Sequence, residues 1–238
     1  SVDNTLLGGN GSDILSGGGG NDWLDAGAGD GDQLSGDAGN DTLVAGAGDN
    51  QQLSGGDNAD SLLGGTGANQ AIFGNDGNDT LVAGGGSNQY LYGGNGDDSL
   101  LGTDGDADLL YGNEGNDTIN ALGGNDTLSG DAGNDSLIGG GGSADWANYA
   151  GAADAVTVDL GAGTSSGADG NDSLTGIEAV LGSDFADSLV AGSDGLQTLL
   201  GAAGNDTLVA GSGGNQELYG GNDADSLPVS YTHLRAHE

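Results

Sequence analysis

Between Gly36 and Tyr111 a unit of nineteen residues is written four times, each copy joining a nine-residue motif to a ten-residue one. The nine-residue halves read GDAGNDTLV (36–44), GGDNADSLL (55–63), GNDGNDTLV (74–82) and GGNGDDSLL (93–101), a GGxGxDxUx pattern in which U is apolar. The ten-residue halves, AGAGDNQQLS (45–54), GGTGANQAIF (64–73), AGGGSNQYLY (83–92) and GTDGDADLLY (102–111), keep the glycines and gain a residue before the apolar position. In three of these four, Gln51, Gln70 and Gln89 stand where the shorter motif has Asp. A fixed period of this length restricts the chain to a solenoid, in which stacked repeats bury a core that no repeat can form alone.

The residue types say how each repeat is built. Glycines early in the motif supply backbone able to turn tightly at positive φ. The xUx that follows is a very short strand whose central side chain points inward while its neighbours point out. The expected inward column is Leu43, Leu53, Leu62, Ile72, Leu81, Leu91, Leu100 and Leu110. One aliphatic per motif is a thin core. Each contributes roughly 1.5–3 kcal/mol on burial, whereas ordering each residue costs roughly 1–2 kcal/mol of backbone entropy. Something besides burial must hold the turns together.

Charge says what that is. The chain has 37 acidic residues and one basic residue, a formal net charge of −36. Its Arg, its Pro and both His lie between Pro228 and Glu238, so nothing before them can neutralise the carboxylates. Hard divalent cations bound through oxygen are the natural counter-charge, and calcium accepts 6–8 carboxylate and carbonyl oxygens in flexible geometry. Soft ligands are missing, since there is no Cys or Met, and zinc is disfavoured because the repeats contain no His.

GGNGSDILS (8–16), GGGGNDWLD (17–25) and GDAGNDSLI (130–138) resemble the glycine- and aspartate-rich RTX repeats of bacterial type I-secreted proteins, and the resemblance runs through nearly the whole chain to Leu227. It implies an all-β parallel β-roll with two motifs per turn, and calcium ions between adjacent turn loops held by Asp carboxylates and loop carbonyls. It further implies export by type I secretion machinery, with folding after export, in a secreted or cell-surface protein of a Gram-negative bacterium. The candidate metal ligands are Asp13, Asp22, Asp32, Asp41, Asp60, Asp79, Asp98, Asp108, Asp117, Asp126, Asp135, Asp172, Asp187, Asp206 and Asp225.

Four regions follow from the period. Residues 1–138 form a first block of about seven turns, opening with Asn4 in an aspartate slot, as though inside an array. Residues 139–181 interrupt the period with DWANY (145–149), the alternating strand VTVDL (156–160), one motif GADGNDSLT (167–175) and GIEAVL (176–181). Trp146 and Tyr149 read as packing residues over the roll rather than a ligand-binding pair. Residues 182–227 form a second block with Gln197 and Gln216 in its longer halves. Residues 228–238, PVSYTHLRAHE, depart from the composition and resemble translated adaptor sequence, so their His and Arg receive no functional role. No hydrophobic run is long enough for a signal peptide or a membrane span.

With two motifs per turn, every second loop shares an edge of the roll. Asp22, Asp41, Asp60, Asp79, Asp98, Asp117 and Asp135 should form one column, and Asp13, Asp32, Gln51, Gln70, Gln89, Asp108 and Asp126 the other. Carboxylates stacked at roughly 4.8 Å repel by about 1 kcal/mol per pair even in water. The acidic edge therefore needs cations, whereas stacked Asn and Gln amides can bond along the axis without metal.

Other functions fit poorly. Without His or Cys in the repeats there is no Ser-His or Cys-His pair, so the chain is read as non-catalytic, a structural spacer or the repeat module of a secreted enzyme or toxin. Its charge opposes nucleic acid. The period argues against constitutive disorder despite the acidic composition. Thr42, Thr80, Thr118 and Thr127 are too few for an ice-binding array, though contact with a cell or host surface stays open.

Overall fold

The computed structural model describes residues 1–105, 107–193, 195–228 and 235–237. Among these residues the chain contains strands and no helix, and it winds as a β-solenoid of about 11 turns. From Thr5–Asn10 through Trp146–Asn148 successive strands alternate between a 13-stranded and a 12-stranded sheet. Thr5–Asn10, Trp23–Ala28, Thr42–Val44 and Ser61–Leu63 open the first sheet, and Ile14–Gly19, Gln33–Ala38, Gln52–Asp57 and Ala71–Asp76 open the second.

The period sets the register. Leu43 pairs with Leu62, and Leu53 with Ile72, each in parallel and nineteen residues on. Where both halves are nine residues long the offset falls to eighteen, as between Leu110 and Leu128 or Ile119 and Leu137. The expected inward column is buried throughout. Turns are tight because left-handed backbone recurs at the motif's second position. Gly56 has φ of 123°, and a Cβ there would run into the Asp37 carbonyl oxygen of the preceding turn. On the outer face of the second sheet Phe73, Tyr92 and Tyr111 stack in register, with successive ring centroids 5.1 Å apart.

Parallel stacking continues through Trp146–Asn148, which pairs with Thr127–Ala132, so the ten residues 139–148 still occupy an array position on the second sheet. The interruption follows Tyr149. Thr157–Asp159 and Thr164–Ser166 form an antiparallel pair, and Thr164 meets Ser173 of Ser173–Thr175 in the same sense. These three strands lie in the first sheet between Ser136–Ile138 and Ser188–Val190. The second sheet crosses the same junction with Trp146–Asn148 and Ala179–Leu181. Val156 and Val158 are buried while Thr157 is exposed, the alternation expected of VTVDL. The reading of 228–238 as foreign lies mostly outside the described residues; Arg235–His237 pairs in parallel with Glu217–Gly221.

Candidate metal centre

The motif Asp ends each turn loop just before its strand, which fixes where its carboxylate lies. On the acidic edge the main-chain N–H of Asp22 donates to Oδ1 of Asp41 at 2.7 Å, and the pattern repeats from Asp41 to Asp60, Asp60 to Asp79 and Asp79 to Asp98, all at 2.7 Å. It continues from Asp98 to Asp117 and Asp117 to Asp135 at 2.8 Å, and from Asp135 to Asp172 at 3.0 Å. In the second block Asp187 donates to Asp206 at 2.9 Å and Asp206 to Asp225 at 3.0 Å. Asn4 opens the column by donating to Asp22. Each Asp side chain thus ties its turn to the one before, using one oxygen.

The other oxygen is the informative one. Among the described residues, Oδ2 of Asp13, Asp22, Asp32, Asp41, Asp60, Asp79, Asp98, Asp117, Asp126, Asp135, Asp145 and Asp206 is buried and has no hydrogen-bond partner. A buried carboxylate oxygen left without a donor is strongly destabilising. The first glycine of each motif lies against it. A Cβ on Gly55 would meet Asp60 Oδ2 and lie 2.8 Å from the Gly74 carbonyl oxygen of the next turn; Gly93 stands likewise against Asp98 Oδ2, with Gly112 O at 2.7 Å. Oxygens from adjacent turns therefore converge beside each loop. Among the described residues no three acidic, His or Cys side chains cluster as a metal site, so main-chain carbonyls must complete any coordination shell. An all-oxygen set of carboxylates and carbonyls fits a hard cation.

Burial pushes these carboxyls above their ordinary range: Asp60, Asp98 and Asp135 to about 7, Asp117 and Asp126 to about 6. The neighbouring N–H opposes the shift, and the carboxylates stacked above and below Asp60, Asp98 and Asp135 add to it.

The opposite edge solves the same problem differently. Asp32 N–H donates to Gln51 Oε1 at 2.9 Å, so the amide oxygen replaces Oδ1, and Gln51 Nε2 donates to the Gly29 carbonyl at 2.7 Å. Gln70 accepts from Gly65 N–H at 2.7 Å and donates to Gly67 O at 3.1 Å. Gln89 Nε2 donates to Gly67 O and Ser87 O, both at 3.2 Å. In the second block Gln216 donates to Gly192 O at 3.0 Å. The glutamine side chains therefore bond main chain, Gln89 Oε1 accepting the Gln70 N–H at 3.3 Å, rather than one another's amides. The axial amide ladder expected here is carried by Asn50, Asn69 and Asn88, through longer contacts of 3.4–3.5 Å.

Three expected ligands are already served by hydroxyls. Asp108 Oδ2 accepts Thr103 N–H and Oγ1–H, each at 2.8 Å. Asp172 Oδ2 accepts Ser165 Oγ–H at 2.6 Å and Tyr149 O–H at 2.9 Å. Asp187 accepts Ser183 N–H at 2.6 Å on Oδ2 and Ser183 Oγ–H at 2.7 Å on Oδ1. Asp225, in the last described motif, is half-buried. Conversely, Asp145 joins the opposite column, accepting from Asp126 N–H at 2.9 Å. Its place nineteen residues after Asp126 was the available signal, obscured by Ala147 in the inward position.

Comparison with curated proteins found no match. The family model of the RTX calcium-binding nonapeptide repeat matches residues 1–31, 30–51, 54–90, 73–109, 92–128, 111–143, 181–217 and 191–227. These matches cover well over half of the chain, which thus belongs to the RTX calcium-binding repeat family and is a calcium-binding repeat region.

Proposed function

We propose that this region is a calcium-dependent folding switch and structural spacer of a secreted or surface protein, largely unfolded before export and assembled by calcium outside the cell. The observation that carries the reading is the set of twelve buried, unpartnered Oδ2 atoms among the described residues, which makes the metal-free fold unfavourable at neutral pH. Bound calcium supplies the positive charge and oxygen-seeking coordination that these atoms lack. The chain's own part is to hold one carboxylate oxygen on the preceding turn and direct the other towards the loop carbonyls. Asp13, Asp22, Asp32, Asp41, Asp60, Asp79, Asp98, Asp117, Asp126, Asp135, Asp145 and Asp206 are the residues assigned to cations. Asp108, Asp172 and Asp187, expected as ligands from spacing, are assigned to hydroxyl donors instead.

The division into a first block (1–138), an insert (139–181) and a second block (182–227) belongs to the same reading, as does service to a secreted enzyme or toxin domain outside this sequence. No helix among the described residues is long and apolar enough to cross a membrane. Circular dichroism during calcium titration tests the switch. β structure should appear with a cooperative midpoint near the affinity of extracellular modules, roughly 10⁻⁴–10⁻³ M, because each turn contacts only its neighbours. A spectrum identical in chelator and in millimolar calcium would refute the switch.

A further inference from the structure

We infer that the junction between the two blocks, residues 149–187, is a calcium-independent seam that keeps its fold when the arrays on either side have released their cations. The inference rests on the calcium reading above and adds a boundary to it. Three independent features coincide there. First, the two motif carboxylates of the junction are satisfied internally: Tyr149 and Ser165 donate to Asp172 Oδ2, and Ser183 and the Val156 N–H donate to Asp187. Tyr149, Ser165 and Asp172 are all buried, so water does not compete for these bonds. The strand Thr157–Asp159 carries Val156 where its parallel neighbour Ser188–Val190 carries Asp187, which removes one acidic position from the column.

Second, the seam has a thicker core. Tyr149, Ala152, Val156, Val158, Leu174, Ile177, Ala179 and Val180 are buried hydrophobics within 149–180, whereas an equal length of array, 36–67, buries Leu43, Ala45, Leu53 and Leu62. Eight buried groups against four shifts the balance between burial and chain entropy towards folding without a cation. Third, its antiparallel strands Thr157–Asp159, Thr164–Ser166 and Ser173–Thr175 are joined by short local connections, which need less loop closure than the array's parallel pairings nineteen residues apart. The match to the calcium-binding repeat likewise stops at 143 and resumes at 181.

Hydrogen–deuterium exchange of the whole chain, in chelator and in saturating calcium, separates the possibilities. The expected result is that peptides from 149–187 are protected in both conditions while peptides from 36–111 are protected only with calcium. Equal loss of protection in both regions on chelation overturns the seam and leaves the calcium reading intact. Unchanged protection of 36–111 on chelation overturns the calcium reading itself. The double variant Tyr149→Phe with Ser165→Ala tests the hydroxyls: in chelator, protection of 149–187 should fall by about tenfold or more. Protection equal to the parent's would show that the hydroxyls do not stand in for a cation.

Discussion

The two edges of the roll face one geometric problem with different side chains. Every turn must anchor to the turn before it and must neutralise the loop carbonyls that crowd together when turns stack. On the acidic edge Asp60 performs the first task through Oδ1 and leaves Oδ2 unpartnered. On the amide edge Gln51 performs both, accepting through Oε1 and donating through Nε2 to Gly29 O. The added methylene and the amide hydrogens let Gln fill the place of a carboxylate together with its cation. On the proposed calcium reading, metal dependence belongs to individual slots rather than to the fold.

Several changes at the two edges should alter calcium uptake and folding to different extents. The largest is protonation. Asp60, Asp98 and Asp135 have carboxyls raised to about 7 in the folded state, above an unfolded value of about 4. The folded state therefore binds protons more tightly, and its stability contribution is fully present below about pH 4 and lost as pH rises through about 7. In metal-free buffer, β structure should increase as pH falls from about 7.5 to about 4.5, because protons discharge the acidic edge in place of cations. A metal-free circular dichroism signal that weakens on acidification would contradict this.

Next is removal of one carboxylate. Asp79→Asn keeps an oxygen for the Asp60 N–H but removes a charge from the middle of the acidic column. The calcium midpoint for folding should rise on the order of tenfold, equivalent to about 1.4 kcal/mol, and calorimetry should count fewer bound ions. An unchanged count would mean that Oδ2 of Asp79 is not a ligand.

Steric access gives a third, smaller test. Gly55→Ala places a methyl against Asp60 Oδ2 and the Gly74 carbonyl, so one cation position is crowded and stability should fall by about 1–3 kcal/mol. Gly85→Ala, in a loop of the opposite edge, meets only the Thr66 Cα at 3.8 Å and should change stability by no more than about 0.5 kcal/mol. Thermal melts of both variants in calcium check the pair, and equal losses would show that the contact of the first motif glycine with Asp60 Oδ2 is not what limits substitution there.

Much of this was legible because the period does the placing: a nineteen-residue spacing puts Asp22 to Asp117 in one column whatever the details of the loops. The glutamine slots were visible for the same reason. The direction of their bonds was not, since whether Gln70 meets another amide or Gly67 O depends on loop shape rather than spacing. The hydroxyl caps left a trace that period alone does not weigh. Thr103 and Ser183 stand at the second motif position, where Asp37, Asn75 and Asn113 take positive φ; neither does so, and each turns its hydroxyl onto its own loop's Asp. Tyr149 with Asp172 is a different case, because twenty-three residues and an antiparallel pair separate them. No local pattern announces such a contact.

The smallest expected effect on metal binding is at Gln70. Gln70→Asn retains an amide but shortens it by one methylene, so it cannot hold both the Gly65 N–H and the Gly67 carbonyl that Gln70 spans. Gln70 is fully buried, and releasing the buried Gly65 N–H costs about 1–3 kcal/mol, whereas the Gly67 carbonyl keeps Gln89 Nε2 as a donor. The loss falls on the fold alone. Asn introduces no charge, and the unpartnered carboxylates nearest along this edge, Asp32 and Asp126, are separated from the Gln70 slot by Gln51 on one side and by Gln89 and Asp108 on the other. Calorimetric stoichiometry should therefore equal the parent's while the melting temperature in saturating calcium falls. Glutamate at the same position sharpens the contrast, since Gln70→Glu keeps the length, replaces the Nε2 donor with an oxygen facing Gly67 O, and should raise the calcium count by one. If Gln70→Asn loses calcium as Asp79→Asn does, the glutamines are ligands like the aspartates, and the two edges are chemically the same.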